Sequence, residues 1–179
     1  KMIRFFDILF SFLGLIILSP IIILLIFLGI IENGSPLFRQ KRMGHNQIFF
    51  FLVKFRTMHK NTKSTATHLI DFSKVTSFGL FLRSTKLDEV PQLFNVLMGD
   101  MSLVGPRPCL SNQRHLITER NKRGVFKVKP GITGLAQITR INMKTPTLLA
   151  KTDLKMIKKM NLYYYFYYIF IIFFVILKK

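Results

Sequence analysis

Residues 8–31 run for twenty-four positions without a charge, and this run limits the available folds more than any other stretch. Only Ser11, Gly14, Ser19, Pro20 and Gly29 interrupt it. At about 1.5 Å per residue, a helix of this length reaches across a bilayer core of roughly 30 Å. The run is too long for a cleaved signal peptide and lacks a small-residue cleavage site, so a membrane helix is expected. Two features argue against a straight span. Ser19 and Pro20 fall at its middle, where proline removes a backbone hydrogen bond. Basic residues flank both ends, with Lys1 and Arg4 before and Arg39, Lys41 and Arg42 after. The positive-inside tendency then favours both ends on the cytoplasmic face. From the residues alone, a straight span and a re-entrant helix bent at Ser19–Pro20 both remain open.

Charge narrows the partners. Twenty-seven Lys and Arg stand against eight Asp and Glu, for a formal net charge of +19. Such an excess points to nucleic acid or to an anionic membrane surface. No familiar nucleic-acid motif accompanies it, and the apolar ends favour membrane phospholipid and a pyrophosphate-bearing substrate. Nucleic acid is not expected as a partner. Cys109 is the one cysteine, which excludes an internal disulfide; it is expected to be a small buried residue beside Pro106 and Pro108. His45, His59, His68 and His115 show no metal-ligand spacing. With 179 residues the chain is expected to form one domain.

The acids are scarce, and only Asp88 and Glu89 are adjacent. They lie in residues 83–108, RSTKLDEVPQLFNVLMGDMSLVGPRP, with Arg83 and Lys86 before them and Arg107 between two prolines after. Two adjacent carboxylates suit a magnesium ion shared with substrate phosphates. An arginine fixed between prolines suits recognition of a phosphate oxygen pair. The same acids, followed by Pro91 and an apolar run, also suit an ordinary helix start. Asp100 is divided in the same way between the site and a plain turn role.

Several stretches together resemble one family. Residues 87–108 resemble the signature block of the monotopic phosphoglycosyl transferases, the bacterial enzymes that load the first sugar of a glycan onto a polyprenyl phosphate. Phe38, Gln40, Arg42 and Gly44 match the family's F-x-Q-x-R-x-G segment, and residues 54–58 match its KFRTM. Residues 130–137, PGITGLAQ, match its PGITG-x-AQ. The resemblance runs from the N-terminal apolar segment to about Asp153. Several long motifs in the family's order are far more specific than one short one. The chain departs at Gln47, where the family often has glycine, and at Leu135, where many members have tryptophan. It departs again at Thr139-Arg140, where they often continue Asn-Gly, and at Asn142 in place of an aspartate.

The resemblance implies transfer of a phospho-sugar from a UDP-sugar to undecaprenyl phosphate, with UMP released. It implies Asp88 as a nucleophile forming a covalent phospho-sugar intermediate. Glu89 beside it is expected to bind magnesium or to handle the acceptor's proton, so Asp88 and Glu89 are the expected Mg²⁺ ligands. Arg107 is the expected phosphate-binding residue, with Lys54, Arg56, Arg83 and Gln137 around it. The stretch at Gly131 and Gly134 is expected to present backbone N–H groups at the rim of the site. Asp153 is a further candidate. The family also favours a re-entrant helix broken at Ser19 and Pro20, at a bacterial inner membrane with the catalytic domain cytoplasmic. Initiation of O-antigen, capsule, exopolysaccharide or glycoprotein glycan is the implied role; the motifs name neither the sugar nor the oligomeric state.

The expected fold is α+β and mostly helical, a membrane-associated single domain. Residues 1–33 are expected to form the membrane helix, 34–153 the catalytic domain and 154–179 a C-terminal interfacial segment. Residues 48–53 read as a buried strand that delivers Lys54 and Arg56 on one side. Residues 59–74 read as a loop with a short helix, residues 77–85 as an amphipathic helix and residues 91–98 as the next, ended by Gly99. Residues 162–177 are sixteen positions rich in Tyr and Phe, short for a span. Tyr163, Tyr164, Tyr165, Tyr167 and Tyr168 favour the membrane–water interface, and Lys155, Lys158 and Lys159 favour anionic headgroups. A helix lying in the interface is expected there, with a second span as the alternative. Two other functions stay open: a basic membrane scaffold, for which the carboxylates are only a helix cap, or an inactive family member.

Overall fold

The computed structural model describes residues 1–60, 62 and 72–177. Most of the expected 59–74 segment, His68, and the terminal Lys178 and Lys179 lie outside them. The chain is a mixed, mainly helical fold with two small sheets.

Helix α1 spans Met2–Asn33 and stays helical through Pro20. Proline has no N–H to give the carbonyl of Ile16, four residues earlier. The neighbouring Ser19 hydroxyl donates to that carbonyl instead, at 2.7 Å. The pair therefore does not end the helix. Gly34 stops it in the left-handed region at φ 66°, with its N–H on Ile30.

The charged residues of α1 gather near its ends, and Arg4, Asp7 and Glu32 are each engaged by the rest of the chain, while the buried Ser11 hydroxyl has no partner among the described residues. Arg4 donates to the carbonyls of Val96 and Leu97 at 2.6 and 2.9 Å. Asp7 is buried, and one carboxylate oxygen accepts from Ser102 Oγ, Leu103 N and Tyr165 Oη at 2.9 to 3.0 Å. At the other end, Glu32 accepts from the Thr76 hydroxyl at 3.1 Å. Between these points Gly14 faces Leu93, and Leu25 packs with Phe55 and Leu82. Both ends of α1 thus rest on the same body, while Phe12, Ile17, Ile23 and Phe27 face outward.

Strands β1 (Leu37–Met43) and β2 (Phe49–Phe55) form an antiparallel hairpin in register Leu37↔Phe55 to Met43↔Phe49. Alternation turns Phe50 and Leu52 inward against Val96 and Met101. The hairpin turn holds Asn46 and Gln47 at φ 50° and 60°. That is the backbone region glycine favours, which accounts for the family's glycine at the Gln47 position.

Helix α2 (Ser77–Thr85) starts at a Thr76 cap on Gly79 N and ends at Lys86 in the left-handed region. A single turn, Leu87–Glu89, joins it to α3 (Gln92–Met98), which Gly99 ends at φ 92°. Strand β3 (Ser102–Val104) then pairs in parallel with β4 (Gly131–Thr133). Helix α4 (Arg114–Lys122) lies between them in the chain, and α5 (Leu135–Ile138), α6 (Pro146–Lys159) and α7 (Leu162–Leu177) follow. Cys109 is fully buried with Met43, Leu116, Phe126 and Leu149, as expected.

The tyrosines of α7 divide. Tyr163 and Tyr167 face outward, but Tyr165 and Tyr168 are buried with Val104 and Met156 against Ile3, Phe6 and Phe10 of α1. Those two are packing residues, because one side of α7 covers the N-terminal half of α1. An interface role fits only the outward side.

Candidate active site

The site is assembled where two chain reversals meet. Lys86, at φ 62°, turns the chain out of α2 so that Asp88 and Glu89 occupy one tight turn. Neither carboxylate makes a capping hydrogen bond, and the residue before α3 is Pro91. Both acids nonetheless stand in the first turn of a short helix, so the helix-start reading is met by position and not by a capping bond.

The second reversal carries Arg107. Its guanidinium meets Glu89 Oε1 at 2.5 Å. Its backbone is held at three successive carbonyls. Gly131 N donates to Pro106 O at 3.0 Å, Arg120 to Arg107 O at 2.8 Å, and Arg42 to Pro108 O at 3.2 Å. Gly105 and Gly131 lie backbone to backbone, so close that a Cβ on either would strike the other segment. This contact brings the PGITG stretch to the Pro-Arg-Pro turn. The Gly131 N–H is engaged there in holding the turn.

Electrostatics separates the two carboxylates. Burial and the neighbouring Glu89 push Asp88 above the usual carboxylate range, against the pull of Lys54, Lys86 and Arg107. Burial also acts upward on Glu89, but the charge and hydrogen bond of Arg107 outweigh it and hold Glu89 low. Glu89 in turn raises Arg107. Among the described residues no donor is bonded to the Asp88 carboxylate, although the residue is only 8% exposed. It is a buried acid facing cations without being clasped by any of them.

Lys54 comes from the end of β2 and feels Asp88. Burial lowers it to about 8; Asp88 opposes that shift, while Arg42, Arg107 and Arg83 add to it. Arg83 donates to Thr57 Oγ1 at 2.9 Å and is lowered by burial, with Asp88 opposing. Arg56 is placed differently. It donates to the carbonyls of Ser35 and Leu37 at 2.9 and 3.2 Å, clamping the exit from α1. Lys54 and Arg56 both lie over the Phe38 ring, at 5.5 and 5.4 Å. Gln137 donates to Ile132 O at 3.2 Å, and its buried Oε1 has no protein partner. Ser19 and Pro20 are in the membrane-type helix, remote in role from this cluster.

Beside the Glu89–Arg107 pair opens a cavity of about 520 Å³. Lys86, Thr133, Gln137 and Arg140 are among its lining, with apolar residues that include Leu93 of α3, Leu103 of β3 and Ile169 and Ile172 of α7. Asp88 and Glu89 are the residues that could hold a magnesium ion, and among the described residues no third such side chain joins them. Asp88 offers an unbonded carboxylate and Glu89 retains Oε2, which is a small oxygen set of the kind completed by phosphates and water.

The profile of the family described as bacterial sugar transferase matches residues 1–179. The chain belongs to this family. It is 44% identical over 140 residues to the uncharacterized sugar transferase EpsL of Bacillus subtilis, covering 78% of this chain and 69% of that one. It is 37% identical over 156 residues to an undecaprenyl-phosphate galactose phosphotransferase of Salmonella typhimurium, and the match covers 78% of this chain and 33% of the relative. A Klebsiella pneumoniae UDP-glucose:undecaprenyl-phosphate glucose-1-phosphate transferase is 41% identical over 150 residues, 81% of this chain and 32% of its own. The sugar transferase chain thus spans about a third of these two enzymes.

Three residues of this sugar transferase have positions that motif reading did not predict. Arg42 is buried with two donors on Gln40 Oε1, at 3.0 and 2.5 Å, and one on the Pro108 carbonyl. Arg120 is buried too, paired with Asp153 at 2.8 Å. Asp153 therefore lies one residue behind Arg107, anchoring the arginine that holds its carbonyl. Asp7 is the third, and its signal was legible: it is the one acid in the first thirty-one residues. Asp100 accepts from Asn95 Nδ2 at 3.2 Å while Asn95 ties α3 to β2, which is a turn role.

Proposed function

We propose that this sugar transferase moves a phospho-sugar from a UDP-sugar to undecaprenyl phosphate in two displacements at Asp88, releasing UMP. The observation that carries the reading is the buried Asp88 carboxylate, without a hydrogen-bond donor among the described residues and under the influence of Lys54, Lys86 and Arg107. An acid in a salt bridge is a poor nucleophile; this one is held near cations and left open.

In the first displacement an Asp88 oxygen attacks the phosphorus that bears the sugar. Its bond to the bridging oxygen breaks, UMP leaves, and the sugar phosphate is held as an acyl phosphate on Asp88. In the second, a phosphate oxygen of the lipid attacks the same phosphorus. The Asp88–phosphorus bond breaks, the carboxylate returns, and polyprenyl-diphosphate-sugar results. Arg107, fixed by Glu89 and by the three carbonyl contacts of its turn, holds the non-bridging oxygens as charge shifts between them. Lys54 and Arg83 serve the donor's phosphates. A magnesium ion on Asp88 and Glu89 would neutralise phosphate charge and favour the ionised form of Asp88.

The membrane arrangement belongs to the same proposal. Helix α1 is long and apolar enough to cross a bilayer by length and composition. Its two ends both meet the body that carries Asp88, which favours a helix whose two ends both stay on the cytoplasmic side. The outward side of α7 would lie in the interface. The activity is tested with purified protein, magnesium, undecaprenyl phosphate and a panel of UDP-sugars. Lipid-dependent UMP release that disappears in Asp88→Asn is expected; equal release from both proteins would remove Asp88 from the mechanism.

A further inference from the structure

Among the described residues, Asn46, Gln47, Lys86 and Arg140 are the non-glycine residues with φ above zero. Lys86 and Arg140 border the same cavity. Non-glycine residues persist in this backbone region where the surroundings require it, and such places concentrate at ligand sites. Arg140 is the sharper case. It follows α5 in a cap where Ile141 N bonds Ala136 O and Arg140 N bonds Gln137 O. This is the double-bonded helix ending whose left-handed position is normally glycine. Here that position carries an exposed guanidinium, and no described protein group is bonded to it. The lining also includes Arg107, Leu93 of α3, and Ile169 and Ile172 of α7.

We infer that this cavity receives the prenyl phosphate, with Arg140 and Lys86 binding its phosphate and Leu93, Ile169 and Ile172 bordering its first isoprene units. The inference rests on the transferase reading and specifies where its acceptor enters. The occupant is argued from complementarity. Two exposed cations on its lining match an anionic head with accepting oxygens. The apolar residues of the same lining include Ile169 and Ile172 of α7, a helix that also exposes Phe170 and Phe174, which suits a hydrocarbon tail. The Glu89–Arg107 pair borders the same cavity, so a phosphate held by Arg140 lies on the approach to Asp88. Arg140 acts as a specificity residue for the acceptor.

The test is photolabelling of the full chain in detergent with a diazirine-bearing prenyl phosphate, with the corresponding prenol as a phosphate-free control. Saturable labelling of residues 92–98 and 162–177, competed by undecaprenyl phosphate, is expected. Arg140→Gly, which restores the residue this backbone favours, should weaken prenyl-phosphate labelling about tenfold and leave prenol labelling unchanged. In turnover the same variant should raise KM for the lipid and not for the UDP-sugar. Labelling at other helices, labelling indifferent to Arg140→Gly, or equal competition by phosphatidylglycerol would overturn the inference. If UMP release is robust while the label lies elsewhere, the acceptor site is wrong and the transferase reading stands. If the label is as expected but no UDP-sugar gives UMP, the transferase reading falls and the prenyl-phosphate site stands.

Discussion

Burial among arginines brings the Lys54 ammonium down to about 8. The sign is that of a depressed cation: it is charged below about 8 and neutral above. If it serves the donor's phosphates, KM for the UDP-sugar rises as pH passes through about 8. Lys54→Arg should move that rise to higher pH, since guanidinium keeps its proton. A pH-independent KM in the native protein would remove Lys54 from donor binding. At this scale the sequence named Asp88, Glu89, Arg107 and Lys54 through motif resemblance. It could not separate Arg56 from Lys54, although alternation placed both over Phe38. Arg56 lies just beyond the strand, within reach of the Ser35 and Leu37 carbonyls, and that reach is a property of the folded turn. Asp153 was a candidate, but its pairing with Arg120 was equally hidden, because nothing local marks two residues thirty-three apart as a pair.

Among the elements, β3 joins the membrane-type helices to the site. Asp7 of α1 accepts from Ser102 and Leu103 of β3 and from Tyr165 of α7, and β3 leads directly into Gly105-Pro106-Arg107. Asp7→Ala leaves three buried donors without an acceptor, each worth about 1–3 kcal/mol. Thermal unfolding in detergent should therefore fall by several degrees or more. Asp7→Asn keeps one acceptor oxygen and should fall less. Unchanged unfolding in both would show that the three donors find other partners. Helices α2 and α3 were legible to within a residue, because a Thr cap, a glycine stop and an apolar period coincide there. Strands β3 and β4 were not, since three residues carry no readable period and their pairing depends on Gly105 meeting Gly131. Helices α4 and α6 were also passed over. Their polar faces are broad, and only tertiary packing singles out Leu116 and Leu149 as core.

For the whole molecule, α1 lies along the catalytic body from Arg4 to Glu32. A straight span would carry one end to the far side of the bilayer; the contacts bring both ends to one body. Single cysteines at positions 2 and 33, in a Cys109→Ala background, should both react with a membrane-impermeant maleimide added to inside-out vesicles. Neither should react in right-side-out vesicles. Reaction of one position from each side would establish a straight span. The basic excess has a place in this arrangement, with Lys54, Arg83 and Arg107 around the carboxylates and Arg140 and Lys86 on the cavity.

The central claim is that Asp88 carries the sugar phosphate, and intact mass of the protein tests it most directly. Incubated with magnesium and its UDP-sugar but without lipid, the protein should gain the mass of one phospho-sugar. Hydroxylamine should remove the adduct, as it does an acyl phosphate, undecaprenyl phosphate should discharge it, and Asp88→Asn should never form it. Lipid-dependent turnover with no adduct on the native protein, or an adduct that persists in Asp88→Asn, would contradict the account.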